Sequence, residues 1–144
     1  MIEKKFIDTN IWFYAFVRGK EPAESVKTDH AGRCINTTKA IVVSSQIINE
    51  VCVNLIKKAA FEEERIAALI TAFYQSYAVM PIVHSTLLLA SDLRKRYRLS
   101  YWDSLSLMVA SAIEANCAVL YTEDLQHGQV IDTTLTIINP LRLT

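Results

Sequence analysis

Lys4-Lys5-Phe6-Ile7-Asp8-Thr9-Asn10 is the stretch on which the reading of this chain turns. A short apolar run ends in an aspartate and two more small polar residues. A second apolar run, Ile11-Trp12-Phe13-Tyr14-Ala15-Phe16-Val17, follows at once. The first run predicts a short buried strand over 4–8. The second predicts a helix over 10–18, with Thr9 or Asn10 as its cap. An acid is therefore expected where a buried strand gives way to a helix.

The same alternation recurs downstream. Pro22 suits the start of a second helix, running to about Thr37. Ala40 to Ser44 predicts a second buried strand. Ser45 is expected to cap a helix over 46–59, where Ile47, Ile48, Val51 and Leu55 fall at helical spacing. Glu62, Glu63 and Glu64 suit the positive end of a helix over 62–77. Val79 to Ile82 predicts a short strand. Residues 85–98 predict a helix capped by Ser85, with a basic end. Residues 103–115 predict a helix apolar on most sides, hence buried. Ala118 to Thr122 and Thr136 to Ile138 predict two further strands. Short apolar strands separated by helices imply an α/β fold whose mainly parallel sheet is covered on both faces. In such folds sites form beyond the carboxyl ends of the strands.

Composition narrows the class. The 144 residues are one domain's worth, so a single domain over 1–144 is expected. Hydrophobic residues at 51% and charged residues at 21% describe a globular chain with a real core. Lys+Arg and Asp+Glu number 15 each, so no global charge draws the protein to nucleic acid or membranes. Any RNA must be held by a local patch or through metal ions. Three scattered cysteines, Cys34, Cys52 and Cys117, argue against a disulfide framework or structural zinc and for a reducing cytoplasm. No leader and no membrane-spanning stretch are expected.

Four acids fall at the positions that matter in such a sheet. Asp8 ends the first strand, and Asp124 follows the strand over 118–122. Glu50 lies about one turn into the helix after the second strand, and Asp103 opens the helix that leads into the strand over 118–122. Each alone has a plainer reading as a turn residue, a cap or a solvated helix acid. Together they could converge on one sheet edge, where their mutual repulsion calls for a cation. Hard oxygen ligands suit Mg²⁺ or Mn²⁺, and the chemistry they suggest is metal-assisted hydrolysis of a phosphate ester.

The motifs carry a resemblance. Phe6-Ile7-Asp8-Thr9-Asn10, Ser44-Ser45-Gln46-Ile47-Ile48-Asn49-Glu50, Leu99-Ser100-Tyr101-Trp102-Asp103-Ser104-Leu105 and Leu120-Tyr121-Thr122-Glu123-Asp124 stand in the order of the four motifs of PIN-domain proteins. The chain resembles that family over essentially its whole length, and within it the VapC-type toxins of bacterial toxin–antitoxin pairs. The resemblance implies a three-layer α/β/α sandwich and an endoribonuclease dependent on Mg²⁺ or Mn²⁺. It implies that Asp8, Glu50, Asp103 and Asp124 hold the metal, oriented by Asn10, Ser44 and Thr122. It also implies an RNA substrate, a homodimer and a small antitoxin that blocks the cleft. Glu123 competes with Asp124 for the fourth ligand position. The segment Gln126-His127-Gly128-Gln129 lacks the apolar or aromatic residue common in relatives.

Several features stand outside the quartet. The run Arg94-Lys95-Arg96-Tyr97-Arg98 could grip RNA phosphates through Arg94, Lys95, Arg96 and Arg98, or be a solvated helix end. Trp12, Phe13, Tyr14 and Phe16 read as core and dimer surface. His30, His84 and His127 show no ligand spacing and read as structural. A haloacid-dehalogenase-like phosphatase would also place an Asp after the first strand, but it needs a second Asp where this chain has Asn10. A non-catalytic binding module is disfavoured because no acid of the quartet is missing. A housekeeping RNA-processing nuclease would keep the chemistry and change the biology.

Overall fold

The structure is a computed structural model, and it describes residues 2–99 and 104–142. Asp103 and the expected start of its helix lie outside the described residues. Along the chain run β1 (Lys5–Ile7), α1 (Thr9–Phe16), α2 (Pro22–Thr37), β2 (Ile41–Ser44), α3 (Ser45–Ala59), α4 (Glu63–Ser76), β3 (Ala78–Met80), α5 (His84–Tyr97), α6 (Leu105–Glu114), β4 (Val119–Tyr121), β5 (Val130–Ile131) and β6 (Leu135–Ile138).

The described strands form one sheet in the order β3-β2-β1-β4-β6-β5. All neighbours pair in parallel except β5 with β6. This order explains where a site can form. From β1 the chain winds through β2 to β3 on one side, then crosses back to β4 on the other side of β1. Right-handed crossovers therefore put α1 to α4 on one face and α5 and α6 on the other. The direction of winding reverses between β1 and β4. The crevice beyond the carboxyl ends of those two strands is thus the topological switch point, where α/β sheets hold ligands.

The core follows the same layering. All four residues of β2 are buried, as befits a strand covered on both faces. Phe6 and Ile7 of β1 and Leu120 of β4 are fully buried beside it. On the helical layer above, Trp12 donates its indole N–H to the Ile7 carbonyl at 3.2 Å. Its ring meets Phe73 of α4 edge-on, with centroids 4.9 Å apart. Trp12 thereby locks α1 to the end of β1, next to Asp8.

Several boundaries differ from the sequence expectation, each for a local reason. Helix α1 begins at Thr9, and its cap is Asp8 itself, whose Oδ1 accepts the Thr9 N–H. Helix α3 begins at Ser45 and is capped by Ser44, whose hydroxyl accepts the Ile47 N–H at 3.1 Å. In α5 the expected cap Ser85 lies inside the helix, and its hydroxyl donates to Glu114 of α6. Strand β3 stops at Met80, since Pro81 has no N–H for a ladder. The two-residue β5 carries no periodic signal and is absent from the sequence reading. No helix among the described residues is long and apolar enough to cross a membrane.

Candidate active site

Asp8 stands at the switch point. It is 6% exposed and follows directly on β1. Its backbone N–H donates to the Tyr121 carbonyl of β4 at 3.0 Å, continuing the β1–β4 ladder by one residue. One carboxylate oxygen accepts the Thr9 N–H at 2.6 Å, and the other accepts the Thr122 hydroxyl at 2.7 Å. Thr122, fully buried just past β4, also accepts the Asp124 N–H at 3.0 Å on the same oxygen. One hydroxyl therefore fixes Asp8 and folds the chain so that Asp124 comes up beside it.

The surroundings of Asp8 disfavour its ionised form. The Asp8 carboxyl is pushed up to about 7, chiefly because burial penalises its charged form. The Asp124 carboxylate raises it further, through its charge and through a hydrogen bond between the two acids. The Thr122 hydroxyl and the Thr9 N–H pull in the opposite direction without prevailing.

Glu50 joins the same edge from α3. Its Oε2 accepts the Thr9 hydroxyl and its Oε1 accepts the Gln46 amide, both at 2.9 Å. Thr9 thus bridges two acids, with its backbone on Asp8 and its side chain on Glu50. Gln46 and Glu50 are four residues apart and share a helix face. The other amide atom of Gln46, Oε1, is buried and has no hydrogen-bond partner among the described residues. This edge is rich in oxygen acceptors.

Glu123 is turned away from Asp8 and otherwise engaged. The Tyr14 hydroxyl donates to its Oε1 at 2.8 Å, and Lys27 Nζ stands 3.3 Å from its Oε2. Lys27 also lies 4.9 Å from the centroid of the Tyr14 ring. This clamp from α1 and α2 holds the residue between Thr122 and Asp124, and so steadies the turn that presents Asp124.

Of the sequence-predicted site residues, Asp8, Asp124 and Thr122 come together directly, and Glu50 is linked to them through Thr9. Ser44 is fully buried and caps α3, so it bears on Glu50 only through the helix it starts. Asn10 is half-buried in the first turn of α1 and makes no hydrogen bond to an acid among the described residues. Thr9, Gln46, Tyr14 and Lys27 were not foreseen. Thr9 had a signal in the Asp8-Thr9-Asn10 motif, and Gln46 one in its four-residue spacing from Glu50. The Tyr14–Lys27 clamp depends on tertiary contacts and had none.

The basic run of α5 is largely committed within the protein. Arg96 bridges Asp92 and Asp132, and Arg94 donates to the Ser106 hydroxyl at 2.9 Å. The Tyr97 hydroxyl also meets Asp132, which ties α5 to the turn between β5 and β6.

The acids fit a divalent ion by donor chemistry. A buried carboxylate whose ionisation is resisted, Asp8, beside the carboxylates of Asp124 and Glu50 and the buried amide oxygen of Gln46, is a hard-oxygen donor set. Among the described residues no three acids, histidines or cysteines stand close enough to hold an ion, and Asp103 lies outside them.

Comparison with known proteins places this geometry. The family described as the PIN domain matches residues 5–131. No curated protein matches the sequence. Among solved structures, VapC20 of Mycobacterium tuberculosis, a sarcin–ricin-loop-cleaving toxin, superposes with a TM-score of 0.67 at 17% identity, covering 84% of this chain and 90% of that one. A toxin–antitoxin complex from Klebsiella pneumoniae gives 0.68 at 21% identity, covering 95% and 98%. FitAcB from Neisseria gonorrhoeae gives 0.64 at 12% identity, covering 96% and 99%. At these identities the structures speak for the fold, and they share its layered sheet. The family match spans most of the sequence and the acids stand at the switch point of the sheet: the chain belongs to the PIN domain family.

Proposed function

We propose that this protein is an endoribonuclease dependent on Mg²⁺ or Mn²⁺, and that it is the toxin of a toxin–antitoxin pair. The observation that carries this reading is the buried Asp8 at the switch point with Asp124 brought beside it by the single hydroxyl of Thr122. A buried carboxylate whose ionisation is resisted, set beside a second carboxylate at a sheet's switch point, is well suited to a divalent ion.

Asp8 and Asp124 would hold the ion together with Asp103, and Glu50 would complete the set from across the Thr9 bridge. Asp124 is preferred to Glu123 because its carboxylate meets that of Asp8, whereas Glu123 is held by Tyr14 and Lys27. When bound, such an ion supplies the charge that activates water and neutralises a phosphodiester as it is displaced. The chain's own residues do the positioning. Thr122 fixes the Asp8 oxygen, Thr9 fixes Glu50 relative to Asp8, and the Tyr14–Lys27 clamp fixes the turn bearing Asp124. Outer partners of this kind orient ligands and tune how tightly they bind.

The biological role rests on the company the fold keeps. One neighbour is a toxin that cleaves an RNA loop, and another is a toxin bound to its antitoxin. By that likeness this chain acts as one nuclease unit on RNA in the cytoplasm, as a homodimer restrained by a small antitoxin. Expression in a bacterial host tests the role. Growth arrest relieved by a co-expressed neighbouring gene supports it, whereas unaffected growth with an active nuclease points to housekeeping RNA processing.

A further inference from the structure

A cavity, which none of Asp8, Glu50 and Asp124 lines, lies between α2 and β4. It has a volume of about 360 Å³ and is lined by His30, Arg33, Cys34 and Thr37 of α2, Tyr121 of β4 and Arg142 beyond β6. No carboxylate lines it among the described residues. In a chain whose formal charges cancel, a cavity bounded by Arg33 and Arg142 is a local excess of positive charge. Lys5 adds to it, with its Nζ 5.9 Å from the centroid of the Tyr121 ring.

The cavity is tied to the acidic edge through one strand end. Tyr121 forms part of its wall, and the Tyr121 carbonyl accepts the Asp8 N–H. The next residue, Thr122, holds the Asp8 side chain. His30 and Arg33 are three residues apart, so α2 presents both side chains along the cavity. Guanidinium groups offer planar pairs of donors that match phosphate oxygens, and Arg33 and Arg142 are exposed enough to receive them.

We infer that this cavity is a phosphate-binding subsite for the backbone of a single-stranded RNA that also reaches the Asp8–Asp124 edge. The inference rests on the nuclease reading. It shifts the RNA grip from the basic run of α5, where Arg96 is bound to two aspartates, to the α2 side of the sheet. It also gives His30 a place beyond a structural one.

The test uses the full chain carrying Asp8→Asn, so that bound RNA is not cut. Affinity for a short fluorescent single-stranded RNA is measured by anisotropy over a range of salt. Arg33→Gln with Arg142→Gln is expected to weaken binding several-fold and to lower the salt slope by roughly 1.4, about 0.7 for each lost phosphate contact. Arg65→Gln, an exposed cation on α4, is expected to change neither. Unchanged affinity and slope in the double variant overturn the subsite, as does an equal loss from Arg65→Gln. Displacement of the RNA by polyglutamate at equal charge would assign the cavity to acidic peptide instead, and so overturn it. Separately, inorganic phosphate is titrated into the wild-type protein while the His30 ring signals are followed by NMR. They are expected to shift, and to stay still in the double variant. Silent His30 signals overturn the anion site whatever the RNA result. A phosphate response without RNA binding overturns the assignment to RNA. A wild-type protein that neither binds nor cuts RNA refutes the nuclease reading itself.

Discussion

The hydroxyl of Thr122 donates to Oδ2 of Asp8 across 2.7 Å, joining two strand ends that are 114 residues apart in the sequence. The same oxygen accepts the Asp124 N–H. Replacing Thr122 with Val keeps the shape and removes both bonds. This leaves a buried carboxylate oxygen and a backbone donor without a partner, a loss of about 1–3 kcal/mol in denaturant unfolding. Affinity for Mn²⁺, measured by calorimetry, is expected to fall ~10–100-fold. Thr122→Ser should recover most of both, since it restores the hydroxyl.

Asp124 and Glu123 are adjacent in sequence but face different partners. Asp124→Asn is expected to remove Mn²⁺ binding and RNA cleavage together. Glu123→Gln keeps an acceptor for Tyr14 and loses only the charge paired with Lys27, so it should retain most of both. The reverse pattern would make Glu123 the ligand.

Asp132 supplies a pH signature. Its hydrogen bond from Arg96 holds the carboxyl below the usual range, helped by the Tyr97 hydroxyl and opposed by partial burial. A carboxyl lowered in the folded state contributes stability above its unfolded pKa, and that contribution is lost as pH falls through the folded value. Asp132→Asn is therefore expected to lower the thermal midpoint slightly at pH 7 and to match the wild type at strongly acid pH. Asn suits the test because Asp132 sits at φ +50°, a region Asn also tolerates. The effect is small, as for exposed ion pairs generally.

Much of this architecture was legible in the residues. Phe6-Ile7-Asp8 and Leu120-Tyr121-Thr122 mark strand ends because buried runs stop there in favour of small polar groups. The helix over 46–59 was visible from Ile47, Val51 and Leu55. Caps were read one residue late at α1 and α3, because Asp8 and Ser44 each end a strand and begin a helix, and periodicity cannot assign such a residue to one role. The hydroxyl that orients Glu50 belongs to Thr9, while Asn10 was expected, with Ser44 and Thr122, to orient the acids. Which of two adjacent polar residues turns inward depends on where α3 packs. The clamp on Glu123 and the commitment of Arg96 to Asp132 are contacts over 109 and 36 residues, which no local pattern encodes.

The most direct test of the central claim is cleavage of RNA by the purified protein with Mn²⁺ or Mg²⁺, set against the same protein under chelation and against folded Asp8→Asn. The account predicts cleavage that stops on chelation and returns when the ion is restored. It also predicts a rate at least about 100-fold lower in Asp8→Asn, beyond the ~10–100-fold that an outer partner commands. Full cleavage under chelation, or wild-type cleavage by Asp8→Asn, would contradict it.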